Sequence, residues 1–153
     1  MTATWSELAR SAPDLASVGA QLFDEHRLAY LATVRRDGAP RLHPVTPVRT
    51  DRGLYVAVSE QSPKRWDLDP NGQCALHAPL GEQDTEFVIT GRVKRVRNDT
   101  ERREVQDAAG HVIHESAWIF EFRIARCLQA YWVNVGQPDT YPVRRRWQAD
   151  DAE

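Results

Sequence analysis

Sulfur, one-sided charge and long apolar runs are all scarce in this chain, and each scarcity removes a class of protein. The two cysteines, Cys74 and Cys127, have no partner at metal-type spacing. A disulfide framework and a cysteine-rich metal centre are therefore not expected, and two buried thiols in a reducing, cytoplasmic compartment are. Nowhere do ~18 apolar residues run together, as a membrane-spanning helix requires. The first residues, Met1 to Leu8, show no basic start followed by an apolar run, so no secretion signal is read there. A formal charge of −2 supplies no field that would draw nucleic acid or an anionic membrane surface, and neither is expected as a partner. No glycine-rich nucleotide loop and no Ser-His-Asp or Cys-His constellation is discernible. The carboxylates Asp67, Asp69 and Glu86 read as surface or capping groups rather than as an acid–base pair.

What is present suits one globular domain. With 153 residues, 41% apolar and 27% charged, residues 1–153 are expected to form a single core. Residues 1–27 form a helical segment of it and 141–153 a carboxy-terminal tail. In that tail the run Arg144-Arg145-Arg146, followed by Asp150, Asp151 and Glu153, reads as a solvated face or a rim contact.

Leu8, Leu15, Val18, Leu22 and Phe23 recur at helical spacing over 6–26, with Ser6 and Asp14 as candidate caps and a break near Pro13. Asp37-Gly38 separates Leu28–Val34 from Arg41–Val48, a hairpin signal because the turn needs the positive φ that glycine adopts freely. Gly53 introduces Leu54–Val58 as a third strand. Pro44 and Pro47 cannot donate to a ladder, so the second strand must be an edge or irregular. Its backbone is thus partly free for other work. Further strands are expected over Gln73–Ala78, over Glu86–Val96 with a bend at Gly91, over Trp118–Tyr131 and from Tyr141 to Trp147, with a polar helix capped by Asn98-Asp99-Thr100. The fold class is mainly β: a closed or half-closed antiparallel barrel with a few short helices.

The segment Val58-Ser59-Glu60-Gln61-Ser62-Pro63-Lys64-Arg65-Trp66-Asp67-Leu68 carries the chemistry. A strand there delivers a hydroxyl, free amides at a helix start and a lysine into one small space, which is what a phosphate monoester needs. The local alternative is a plain helix cap beside a solvated lysine. The ordered set of strand, Asp-Gly turn, proline-bearing strand, Gly-Leu-Tyr-Val strand, Ser-x-Lys helix, Asp-Pro and Phe-Val-Ile-Thr-Gly-Arg-Val resembles the pyridoxamine 5'-phosphate oxidase-like flavoproteins. The likeness runs from about Tyr30 to Val96.

That resemblance implies a split β-barrel of the FMN-binding type, working as a homodimer with its sites at the subunit interface. It gives Ser62 and Lys64 the FMN phosphate, with Arg65 as a nearby second cation. It places His43, Val45 and Thr46 of the second strand along the isoalloxazine ring, mainly through backbone groups. Val58 and Ser59 would lie beside the ribityl chain and pyrimidine edge, and Trp132 would approximate the family's carboxy-terminal tryptophan. The activity implied is that of an FMN-dependent oxidoreductase on a small organic molecule. Two alternatives stay open: a deazaflavin-dependent reductase, which would need extra cations such as Arg41, Arg49 and Arg65, and a non-catalytic flavin or haem binder with His43 or His77 as axial ligand. The chain departs from the vitamin-processing oxidases. Pro47 stands where those enzymes carry a basic residue, and no Arg-x-His follows Trp132, so pyridoxamine phosphate is not the expected substrate.

Among the histidines, His43 is either a cofactor contact or an ordinary half-buried strand position, and His77 reads as a satisfied barrel residue. His111 and His114 read as loop polar groups rather than as a metal edge, so no metal site is assigned. Trp118, Tyr131, Trp132 and Trp147 read as core or interface aromatics.

Overall fold

A computed structural model describes residues 1–150; Asp151 and Glu153 of the tail, and Ala152 between them, lie outside the described residues. The elements are α1 (Trp5–Ser11), α2 (Pro13–His26), β1 (Ala29–Val34), β2 (Pro40–Val45), β3 (Val48–Arg49), β4 (Leu54–Val58), α3 (Pro63–Leu68), β5 (Gln73–His77), β6 (Glu86–Arg95), α4 (Asp99–Ala109), β7 (Trp118–Val133) and β8 (Tyr141–Gln148). Pro13 separates the two amino-terminal helices as expected. The cap of the first is Thr4 rather than Ser6: its side chain accepts from the Glu7 amide while Glu7 reaches back, a reciprocal capping box. Asp14 lies inside the first turn of α2, where it faces the positive end of the helix rather than capping it.

Every strand pairs antiparallel, in the order β2-β1-β5-β6-β7-β4-β3, with β8 also on β7. β2 pairs β1 and, after Thr46-Pro47, β3 pairs β4, so one interrupted strand joins the two ends of the sheet. The result is a split β-barrel. β7 pairs with β6 along one edge, and its other edge is shared end to end by β4 and β8. Ala3 fills the gap between those two, giving its amide to Ile124 O at 2.8 Å and accepting from Ile124 N at 2.7 Å.

Two glycines set this shape. Gly38 takes φ +85° in the β1–β2 turn. Gly91 of β6 faces a bulge at Ala125 of β7, where a Cβ on Gly91 would stand 2.1 Å from Arg123 O and 2.8 Å from Ala125 N, so the strands come this close because no side chain has to fit. Leu31, Val56, Val58, Leu76, Ile89, Phe120 and Phe122 fill the interior, each burial contributing ~1.5–3 kcal/mol. Trp5, Phe23 and Phe87 meet with ring centres 5.8–6.1 Å apart, which fastens α1 and α2 to β6.

The tail expected from 141 is mostly the strand β8, whose Arg144, Arg145 and Arg146 are exposed. Cys74 and Cys127 are free thiols, and burial pushes each up to about 12, so both stay protonated at neutral pH. No helix among the described residues is long and apolar enough to cross a membrane.

Candidate functional site

Parity on β2 builds the site. Leu31 and Thr33 of β1 point into the barrel, and their cross-strand partners are His43 and Arg41, which therefore point inward too. Val45, one step further on the same parity, is buried against Ala29. The other edge of β2 has no strand partner among the described residues, as the two prolines require.

α3 lies across the barrel end beside β1. Ser62 is its cap residue and Pro63 its first residue, yet the Ser62 hydroxyl does not cap the helix. It accepts from Lys64 Nζ at 3.0 Å instead. The amide share of the expected anion site is correspondingly small: Pro63 has no N–H, and Arg65 gives its own to Ser62 O. The site is made of side chains.

Two of those side chains, Lys64 and Arg41, are cationic. Burial, then Arg41, pulls Lys64 below the ordinary lysine value. Burial, then Lys64 and Arg41, holds His43 below 6.5, with Asp67 opposing. His43 Nε2 is buried and has no hydrogen-bond partner. Asp67 corrects its sequence reading as a surface or capping group: it is buried, accepts from Thr33 Oγ1 at 2.6 Å and from Arg41 Nε at 2.8 Å, and so fixes the guanidinium. The available signal was that Asp67 follows Lys64 by three helical positions and so shares its face.

Other expected residues fall into place unevenly. The Val58 side chain belongs to the core, leaving only its backbone for a ligand. Thr46 and Ser59 are exposed, and Ser59 Oγ accepts from the Gln61 amide at 3.3 Å. Arg65 turns toward Trp66 and Trp118 rather than Ser62. Trp132 does not join the others: it sits near the opposite end of the 16-residue β7 from Trp118, which neighbours Arg65. His77 Nδ1 pairs with Ala78 O at 2.6 Å, the satisfied state expected of it. His111 and His114 lie in the loop after α4, bonded to Ala109 O and Ser116 Oγ, and no group of three metal-ligating side chains gathers among the described residues.

A cleft of about 400 Å³ lies beside Ser59, Glu60 and Gln61, and one of about 340 Å³ beside Thr46 and Pro47. The two larger clefts, about 550 and 570 Å³, lie at Cys74 and Thr90 and at Cys127 and Trp147, and neither is lined by Arg41, His43 or Lys64.

The chain is an antiparallel split barrel in which Arg41, His43 and Lys64 act on one another beside the Asp67 carboxylate. Residues 19–135 match the family model described as pyridoxamine 5'-phosphate oxidase, and the chain belongs to that family. Solved structures agree on the fold. A haem-binding protein from Mycobacterium smegmatis is similar at 18% identity and TM-score 0.57, over 76% of this chain and 52% of that one. This chain thus spans about half of that protein's length. A NimC/NimA family protein from Clostridium acetobutylicum is similar at 15% identity and TM-score 0.62, over 83% and 91%. The haem storage protein HutZ from Vibrio cholerae is similar at 16% identity and TM-score 0.55, over 72% and 89%. No curated protein matches the sequence.

Proposed function

We propose that this chain is a cytoplasmic, homodimeric FMN-binding oxidoreductase acting on a small organic substrate. The observation that carries the reading is the net positive charge at the barrel mouth, which rests on Lys64, since it forms no ion pair among the described residues while Arg41 is paired with Asp67. Arg41, His43 and Lys64 face one another, and the single carboxylate acting there, Asp67, is already committed to Arg41 and Thr33. A phosphate monoester brings the acceptors and the negative charge that this arrangement lacks, including an acceptor near the buried His43 Nε2. Ser62 and Lys64 hold the phosphate, and the Arg65 guanidinium, stacked on Trp66 and Trp118, takes no part in that contact. The unpaired edge of β2 at His43, Val45 and Thr46 runs along the ring, and the Val58 backbone and Ser59 along the ribityl chain. FMN supplies the hydride or electron chemistry when bound, and the chain binds it, orients it and excludes water.

Dimerisation completes the site. Trp132 is 37% exposed at the far end of β7, so it meets Lys64 only if it comes from a second copy. The two free thiols suit a reducing compartment. Purified protein incubated with FMN and passed over a sizing column should elute yellow, at one flavin per chain and at the dimer position. Colourless protein would contradict the reading.

A haem-binding reading has one observation in its favour, the unpartnered Nε2 of His43. It requires a Soret band on haem addition that disappears in His43→Ala and persists in His77→Ala. The deazaflavin alternative has less support. Its acidic tail needs spare cations, and Arg41 and Arg49 are taken by Asp67 and Asp24.

A further inference from the structure

The Lys64 and Asp67 side of α3 is occupied by the anion site; Trp66 projects elsewhere and is 63% exposed. The Arg65 guanidinium carbon lies 3.8 Å from the centre of the Trp66 ring and 4.6 Å from that of Trp118. The Arg95 guanidinium carbon lies 3.2 Å from the centre of Trp118. Two indoles and two guanidiniums, drawn from α3, the end of β6 and the start of β7, thus alternate in one stacked group. Cation–π contact holds Arg65 against Trp66, so the exposed indole is backed by a positive charge.

No ion pair among the described residues neutralises these cations. Neither Arg65 nor Arg95 forms an ion pair among the described residues, and Arg65 Nε is buried without an acceptor. Arg97, Arg65 and Arg102 act on Arg95 with like charge, opposed by Asp69. A buried donor left without an acceptor is unfavourable, and it persists where a ligand or packing constraint makes use of it. An anion alone would use the guanidiniums and ignore the indole; an uncharged aromatic would do the reverse. A ligand that uses both has a flat fused ring and a short polyanionic arm. A nucleic-acid polymer fits poorly, because the chain's net charge is −2.

We propose that Trp66, Arg65, Trp118 and Arg95 form a binding site for a purine nucleotide diphosphate, with the base stacked on Trp66 and the phosphates facing the arginines. The site stands apart from the flavin phosphate site and does not depend on that assignment. The same chemistry is presented by a free purine nucleotide and by the ADP half of a dinucleotide coenzyme.

Calorimetric titration of the full-length protein with ADP, with adenosine and with pyrophosphate tests this. ADP should bind more tightly than either part alone, and its affinity should fall as salt rises. Trp66→Ala should weaken ADP by about tenfold or more, the usual size for loss of base stacking on an aromatic side chain, while Trp66→Phe retains most of the affinity. Since Trp66 is largely exposed, unchanged circular dichroism should accompany the alanine variant. Lys64→Ala should leave ADP binding intact whatever it does to FMN. Binding of NADPH to FMN-treated protein, lost in Trp66→Ala, would assign the site to a dinucleotide; binding of ADP without NADPH would assign it to a free nucleotide. Three results would overturn the proposal: no ADP binding at millimolar concentration, equal affinity for ADP and pyrophosphate, or loss of ADP binding in Lys64→Ala. So would conversion of a dimer to a monomer by Trp66→Ala without any nucleotide binding, since that result makes the indole a subunit contact.

Discussion

Replacing Lys64 by alanine removes the ammonium that lies 3.0 Å from Ser62 Oγ and acts on His43. A hydrogen bond to a charged group contributes ~1.5–3 kcal/mol. At 1.4 kcal/mol per decade, FMN binding should weaken by about 10- to 150-fold. The ligand-free protein should respond differently. Burial and Arg41 both disfavour the charged form of Lys64, so its removal relieves repulsion and the apo Tm should stay level or rise slightly. His43 should also become easier to protonate, since Lys64 is the second-largest cause of its depression after burial. Flavin fluorescence titration measures the affinity, a melting curve the stability, and proton NMR the histidine. Unchanged FMN affinity would refute the phosphate assignment. A drop in apo Tm alongside the affinity would show that Lys64 holds the fold rather than the ligand.

Asp67→Ala strands Arg41 and Thr33 at the barrel end and should cost about 3 kcal/mol, the lower end for breaking a buried pair because Arg41 is partly exposed, read as a lower urea midpoint. Gly91→Ala forces a methyl into the β7 backbone at Arg123 and should cost about 3 kcal/mol at unchanged m-value; a neutral result would mean the bulge relaxes freely. The pH response of His43 has a definite sign. The folded protein holds its pKa below 6.5, so the unfolded chain binds more protons, and stability should fall as pH drops below 6.5 toward the folded value. His43→Gln should flatten that part of the stability profile, and a phosphate bound beside His43 should raise its pKa.

Much of the fold was legible because turns and parity are local. Gly38, Gly53 and Gly91 punctuate strands whose alternation needs no long-range information. Pro44 and Pro47 announced the free edge of β2 and the break before β3. The misplaced cap at Thr4 is a shift of two residues, and Thr4-x-x-Glu7 was there to be read. The site was legible only in part. Ser62 and Lys64 are close in sequence and close in space. The Thr33–Asp67–Arg41 network joins residues from three elements, and only the β1–β2 register and the docking of α3 bring them together. The resemblance makes Arg65 a nearby second cation, but one residue along a helix turns a side chain by about 100°, and its guanidinium stacks on Trp66 and Trp118.

Binding of FMN compared with riboflavin, which differs only in lacking the phosphate, tests the anion site most directly. FMN should bind at least about 100-fold more tightly, since the phosphate would meet both Lys64 and Ser62 within a cluster of cations. Equal affinities for the two flavins would contradict the account.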